Sequence, residues 1–193
     1  MGKGRTLTQV ISLVLMLSVC MVGTADAAGP WKGQIVDVET GQPLEGVVVL
    51  AVWLSYEGTL GGWAGAAYFD AEEVVTGADG RFVIPARRTF SFWFRAVKGP
   101  ELTIFKPGYG QWRFRGHENW PSDLIEREAR VETAWKQFTR GGVVIELPRF
   151  QTREERLKFY GTLGWAPVIP SDRTKHLREA ERLERAYLGF NSR

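Results

Sequence analysis

A chain of 193 residues carrying 25 Lys and Arg against 22 Asp and Glu has a formal net charge of +3, too balanced for bulk charge to draw it to a polyanion. Its content of 44% hydrophobic and 12% aromatic residues excludes a disordered chain and suits a single domain with a real core. One cysteine, Cys20, excludes an internal disulfide and any cysteine-based metal knuckle.

Met1 to Ala27 has the layout of a secretory signal: Lys3 and Arg5 form a basic end, Val10 to Gly23 is mostly apolar, and Ala25-Asp26-Ala27 is an A-x-A cleavage site ahead of Ala28. The apolar run is short for a membrane span, so no transmembrane segment is expected after cleavage. Leu17-Ser18-Val19-Cys20 approximates a lipobox, but Val19 stands where a small residue is wanted, which disfavours acylation at Cys20. Export to the periplasm or beyond is the expectation, with a mature chain free of cysteine.

From Gly33 to Val49 the chain alternates as a strand (Gly33, Ile35, Asp37), turns through Thr40, Gly41 and Pro43, and resumes as an apolar strand from Val47 to Leu54. A second turn signal, Thr76, Asp79, Gly80 and Phe82, predicts a hairpin between Val74-Val75 and Phe82-Ile84. A third, Lys106-Pro107-Gly108-Tyr109, follows the strand Leu102 to Phe105. The spacing Gly33, Ile35, Asp37, Thr40, Gly41, Pro43, Leu44, Gly46, Val49, with the other two landmarks in order, resembles the carboxypeptidase regulatory-like family in its secreted bacterial form. The resemblance implies a mainly β, prealbumin-like or Ig-like sandwich of seven or so strands over residues 28–149, with inserts after Trp53 and Tyr109. It also implies a non-catalytic module with no cofactor. Asp37, Gly41, Asp79, Gly80 and Gly108 are expected as structural turn residues, because a carboxylate can accept turn amides and glycine tolerates positive φ.

The strand Val47 to Leu54 is apolar on both faces: Val47, Val49, Ala51 and Trp53 on one, Val48, Leu50, Val52 and Leu54 on the other. A sandwich strand needs only one apolar face, so a cover over the second is expected from the C-terminal helices or the Trp63 insert. Phe90, Phe92 and Phe94 repeat the hint. Between Tyr56 and Phe69 the glycines around Trp63 predict a flexible loop without the Lys-Ser or Lys-Thr of a phosphate loop. Gln111 to Arg115 alternates as a strand, Pro121 to Phe138 is a helical or irregular insert, and Val143, Ile145 and Leu147 form the last strand.

Residues 150–193 predict two helices. Thr152 and Glu155 form a capping box ahead of the stripe Leu157, Tyr160, Leu163 and the stop at Gly164. Ser171 is the expected cap of a second helix with the stripe Leu177, Ala180, Leu183, Tyr187, ending at Gly189. The excess of basic over acidic residues in this tail alternates in sign, as a solvated helix face does, which argues against nucleic acid.

Chemistry is sparsely signalled. His117 and His176 are far apart, and His117-Glu118 lacks the second histidine of a zinc-protease helix. Neither G-x-S-x-G nor the Y-R-G-S ending of the prealbumin-like hydrolase occurs. Asp70, Glu72, Glu73 and Asp79 have no calcium-loop spacing, and no metal is expected. The expected function is therefore protein interaction or structural support in the cell envelope, with an envelope protein or a polysaccharide as partner. A carbohydrate-binding module using Trp63, Trp112 and Trp120 is the alternative, and a hydrolase around His117 and Glu118 the third reading.

Overall fold

The strand Trp31–Asp37 and the strand Val48–Thr59 are joined by the Thr40–Gly41–Pro43 turn, yet they belong to different sheets. The computed structural model describes residues 25–60, 62–92, 94–110, 112–114, 136–160 and 169–190, and of these the side chains of 25–28, 63, 90–92 and 112–114 are not described. The apolar signal run, Cys20, His117, Glu118, Trp120, most of the 121–138 insert, Leu163 and Gly164 lie outside the described residues.

In chain order the strands are β1 Ala25–Ala28, β2 Trp31–Asp37, β3 Val48–Thr59, β4 Gly62–Val75, β5 Arg81–Ile84, β6 Arg87–Phe92, β7 Arg95–Phe105, β8 Trp112–Phe114 and β9 Val143–Leu147. Helix α1 spans Arg153–Tyr160 and α2 spans Lys175–Leu188. The large sheet runs β1-β6-β7-β3-β4, with β8 paired to β7; the small sheet runs β5-β2-β9, with β9 parallel to β2. The molecule is thus mainly β, two sheets with C-terminal helices.

The two sheets share one core. Trp31 and Ile35 of β2, Phe82 and Ile84 of β5, and Ile145 and Leu147 of β9 pack against Val49, Ala51 and Trp53 of β3 and Leu102 and Ile104 of β7. On the opposite face of β3, Val48, Leu50, Val52 and Leu54 are also buried, joined by Ala71, Phe105, and Leu177 and Ala180 of α2. Helix α2 is the cover that the two-faced strand demanded. Fully burying an aliphatic side chain stabilises by about 1.5–3 kcal/mol, so docking of α2 on four such residues is a major contribution to the fold.

Several local expectations are corrected by this packing. Asp79-Gly80 turns the chain from the large sheet to the small one instead of closing a hairpin, because β4 pairs with β3 and β5 with β2. The glycine-rich stretch after Tyr56 is not a flexible loop: β3 and β4 remain paired out to Thr59 opposite Gly62, across a register shift near Gly65, whose φ is 65°. Ser171 sits in a short 3-10 turn, Ser171–Arg173, and Thr174 precedes α2 with no side-chain cap of its own. The buried stripe of α2 is Leu177, Ala180, Glu184 and Leu188, whereas Leu183 and Tyr187 are about half exposed. Helix α1 buries none of its residues, so Leu157 and Tyr160 do not form a core stripe. The expected Thr152–Glu155 capping box is present in both directions: Glu155 N–H donates to Thr152 Oγ1 at 3.1 Å and Thr152 N–H to Glu155 Oε2 at 3.1 Å. Gly189 ends α2 in the left-handed conformation at φ 81°.

Candidate functional site

The turn after β2 is built on Asp37. Its Oδ1 accepts the amides of Glu39 at 2.9 Å and Thr40 at 3.0 Å, which holds its carboxyl below the usual carboxylate range, with burial opposing. Tyr109 of the Lys106–Tyr109 corner donates its hydroxyl to Asp37 Oδ2 at 3.3 Å, and burial together with this carboxylate pushes the phenol up. Gly80, at φ 69°, leaves no room for a Cβ, which would lie 2.4 Å from Ile35 O. The landmark turns therefore meet at one end of the molecule as a structural knot.

The tail is tied to that knot by an ion pair whose carboxylate is buried. Glu184 is 4% exposed. It accepts the Gly108 amide at 2.9 Å and Arg156 Nε at 2.8 Å, and also contacts Arg156 Nη2. The Arg156 guanidinium, raised in pKa mainly by this hydrogen bonding, lies 3.5 Å from the centre of the Tyr187 ring. A carboxylate within the spacing 177, 180, 184, 188 was the available signal for this lock, hidden because Leu183 offered a more apolar alternative stripe.

A polar cleft of about 200 Å3 lies between β4 and the start of α2, lined by Glu72, Glu73, Asp172, Arg173, Lys175 and His176 with Ala71. Two of its carboxylates, Glu72 and Glu73, are committed to neighbours. Glu73 Oε1 accepts the Leu177 amide at 2.7 Å, and its Oε2 accepts the His176 amide at 2.8 Å and pairs with His176 Nδ1 at 2.9 Å. A side chain from β4 thus supplies the helix cap expected from Ser171. Asp70 and Glu72 both pair with Arg87, whose guanidinium also lies 4.8 Å from the Trp53 ring centre. Asp79 pairs with Arg81 at 3.9 Å. Asp70 also lies 3.7 Å from Arg173, so Asp70, Glu72, Glu73 and Asp79 serve Arg87, Arg173, the start of α2 and Arg81 and do not converge on one point; among the described residues no group of three or more candidate ligands could hold a metal.

The second concavity, about 220 Å3, is a shallow depression on the outer face of the small sheet. Gly33 of β2 forms its floor between Phe82 and Val143, and Lys32, Gln34, Arg81, Val83 and Val144 surround it. Val83 and Val144 are 52% and 62% exposed, an apolar pair on a face that solvent would leave polar. Among the described residues both flanking strands, β5 and β9, have no further strand beside them. The consecutive Val143-Val144-Ile145 was a signal for this face, of the same kind as the one read on β3. The candidate aromatics are not brought together by anything described: the backbones of Trp63 and Trp112 lie on β4 and β8, paired opposite Gly58 and Ile104, while their side chains, and Trp120 entirely, lie outside the described residues, as do His117 and Glu118.

No helix among the described residues is long and apolar enough to cross a membrane. Comparison with known proteins adds no relative: no family model, no curated protein and no solved structure matches this chain.

Proposed function

We propose that the chain is an exported, non-catalytic β-sandwich of the prealbumin-like, carboxypeptidase regulatory-like type that holds a protein partner in the cell envelope. The carrying observation is the outer face of β5-β2-β9. There Val83 and Val144 flank a shallow floor, and among the described residues β5 and β9 have no further strand beside them, the arrangement that receives an extended segment by main-chain pairing and side-chain contact. The meeting of Asp37, Gly80 and the Tyr109 corner supports the family reading, since each landmark does structural work at one knot. Glu73 and Glu72 of the polar cleft brace α2 and Arg87, which supports a structural use of these two carboxylates over a catalytic one.

The test is site-specific photo-crosslinking in the envelope of the source cells, with the photoreactive residue at position 83 or 144 of the full chain. The expected result is one protein adduct from both positions, lost when the neighbouring valine is changed to Asp. Adducts that are absent, or unaffected by those changes, overturn the proposal. Polysaccharide retained by the native chain and released on replacing Trp63, Trp112 and Trp120 moves the assignment to carbohydrate binding.

A further inference from the structure

We infer that the partner received by β5-β2-β9 is a second copy of this chain, joined edge to edge so that β5 of one copy extends the small sheet beyond β9 of the next; this rests on the reading of that face as the binding surface. The strand directions suit such a join. β5 is antiparallel to β2 and β9 is parallel to it, so the two edge strands run in opposite directions. A copy shifted sideways in the plane of the sheet, without rotation, therefore lays its β5 antiparallel beside β9 with both outer faces on the same side.

The main-chain groups are turned the right way. Ile35 N–H donates to Gly80 O at 2.8 Å, so alternation along β5 turns Phe82 and Ile84 toward β2 and the polar groups of Arg81 and Val83 away from it. Val38 N–H donates to Leu147 O at 3.2 Å, which likewise leaves the polar groups of Val144 and Glu146 on the outer edge of β9. The Arg81 amide is taken by Asp79 Oδ1 at 3.0 Å, leaving the Arg81 carbonyl and both groups of Val83 to pair with a new strand.

Side chains select the partner and the register. A strand set against its own kind opposes charge to valine when antiparallel and like charge to like charge when parallel, and β5 parallel to β9 again opposes charges to valines. The antiparallel β5–β9 join alone sets Arg81 opposite Glu146 and Val83 opposite Val144 together. The two valines, 52% and 62% exposed in the single chain, then cover each other. Arg81 meets Asp79 only at 3.9 Å, with side chains 72% and 65% exposed, a loose pair that leaves the guanidinium within reach of Glu146. Because unlike edges are joined, each assembly keeps a free β5 and a free β9 at its ends, and growth does not stop at two chains.

The test is sedimentation equilibrium of the full mature chain over a wide range of concentration. The mass is expected to rise with concentration past two chains. Arg81→Glu and Glu146→Arg should each weaken association by about tenfold, since an opposed pair becomes a like-charge pair, and the two combined in one chain should restore it, with the melting temperature retained throughout. A mass that stays at one chain, a plateau at two, association that neither reversal weakens, or a combined variant that stays weak overturns the inference. A chain that stays single while position 83 or 144 still captures a different envelope protein removes the second copy and leaves the binding face standing; a self-associating chain that gives no adduct in the envelope removes the envelope partner and leaves the edge pairing.

Discussion

Replacing Glu184 by Ala should release the tail from the sheet. The carboxylate is 4% exposed and satisfies the Gly108 amide and the Arg156 guanidinium, whose own side chain is 14% exposed. Truncation leaves a largely desolvated cation without its counter-charge and the half-buried Gly108 amide without an acceptor, and breaking one side of such a pair costs up to about 3–5 kcal/mol. For a chain of this size that is about 10 °C in melting temperature. The loss should extend beyond the pair, because α2 carries Leu177 and Ala180 onto Val48, Leu50 and Val52, so partial undocking exposes the outer face of β3. Thermal and urea unfolding, with limited trypsin digestion to report cleavage between α1 and α2, measure both effects. Glu179→Ala is the control: Glu179 pairs with Arg182 at 2.6 Å on the exposed face of the same helix, where solvent screens the pair. If Glu184→Ala is no more damaging than Glu179→Ala, the lock is not what holds the tail.

Other substitutions probe separate parts of the fold. Gly80→Ala places a Cβ against Ile35 O at a φ of 69°, so it should destabilise more than Gly41→Ala, where a Cβ meets nothing within 4 Å, by calorimetry. Thr76→Val removes a hydroxyl that donates to Leu44 O at 2.6 Å and accepts the Val47 amide at 2.9 Å, at a cost of about 1–3 kcal/mol by urea denaturation, and a neutral result would mean those groups find other partners. The Asp37 carboxyl is held below its ordinary value of 3.8 by the Thr40 amide first. Its stabilisation is therefore complete above that ordinary value and is lost as pH falls through the lower folded value; Asp37→Asn should flatten this acid limb of stability against pH. N-terminal sequencing of the exported protein should begin at Ala28, leaving Ala28 alone of β1 opposite Arg87, whereas an intact Ala25–Ala28 would show that β1 survives processing.

What was legible in the sequence is what depends on neighbours along the chain. Asp37 with its two following amides, the Thr152–Glu155 box, Gly189 at the helix end and the two apolar faces of Val47 to Leu54 are all settled within a turn or a strand, where spacing alone brings the groups together. Strand partners were less legible, since Asp79-Gly80 suits a hairpin and a turn between sheets equally well, and only the core decides which sheet receives β5.

The sequence by itself determined that both faces of the central strand must be buried, because neither carries a polar group to meet water. Only the tertiary structure decided which element buries the second face and how it is fastened. Glu73 of β4 caps α2, and Glu184 binds Arg156 and Gly108 across 28 and 76 residues, so the helix stripe rotates to take in a carboxylate and leave Leu183 and Tyr187 outside. A charge is buried when its partner is waiting at the docking surface, and that partner is set by packing between distant segments, which periodicity along one helix does not record.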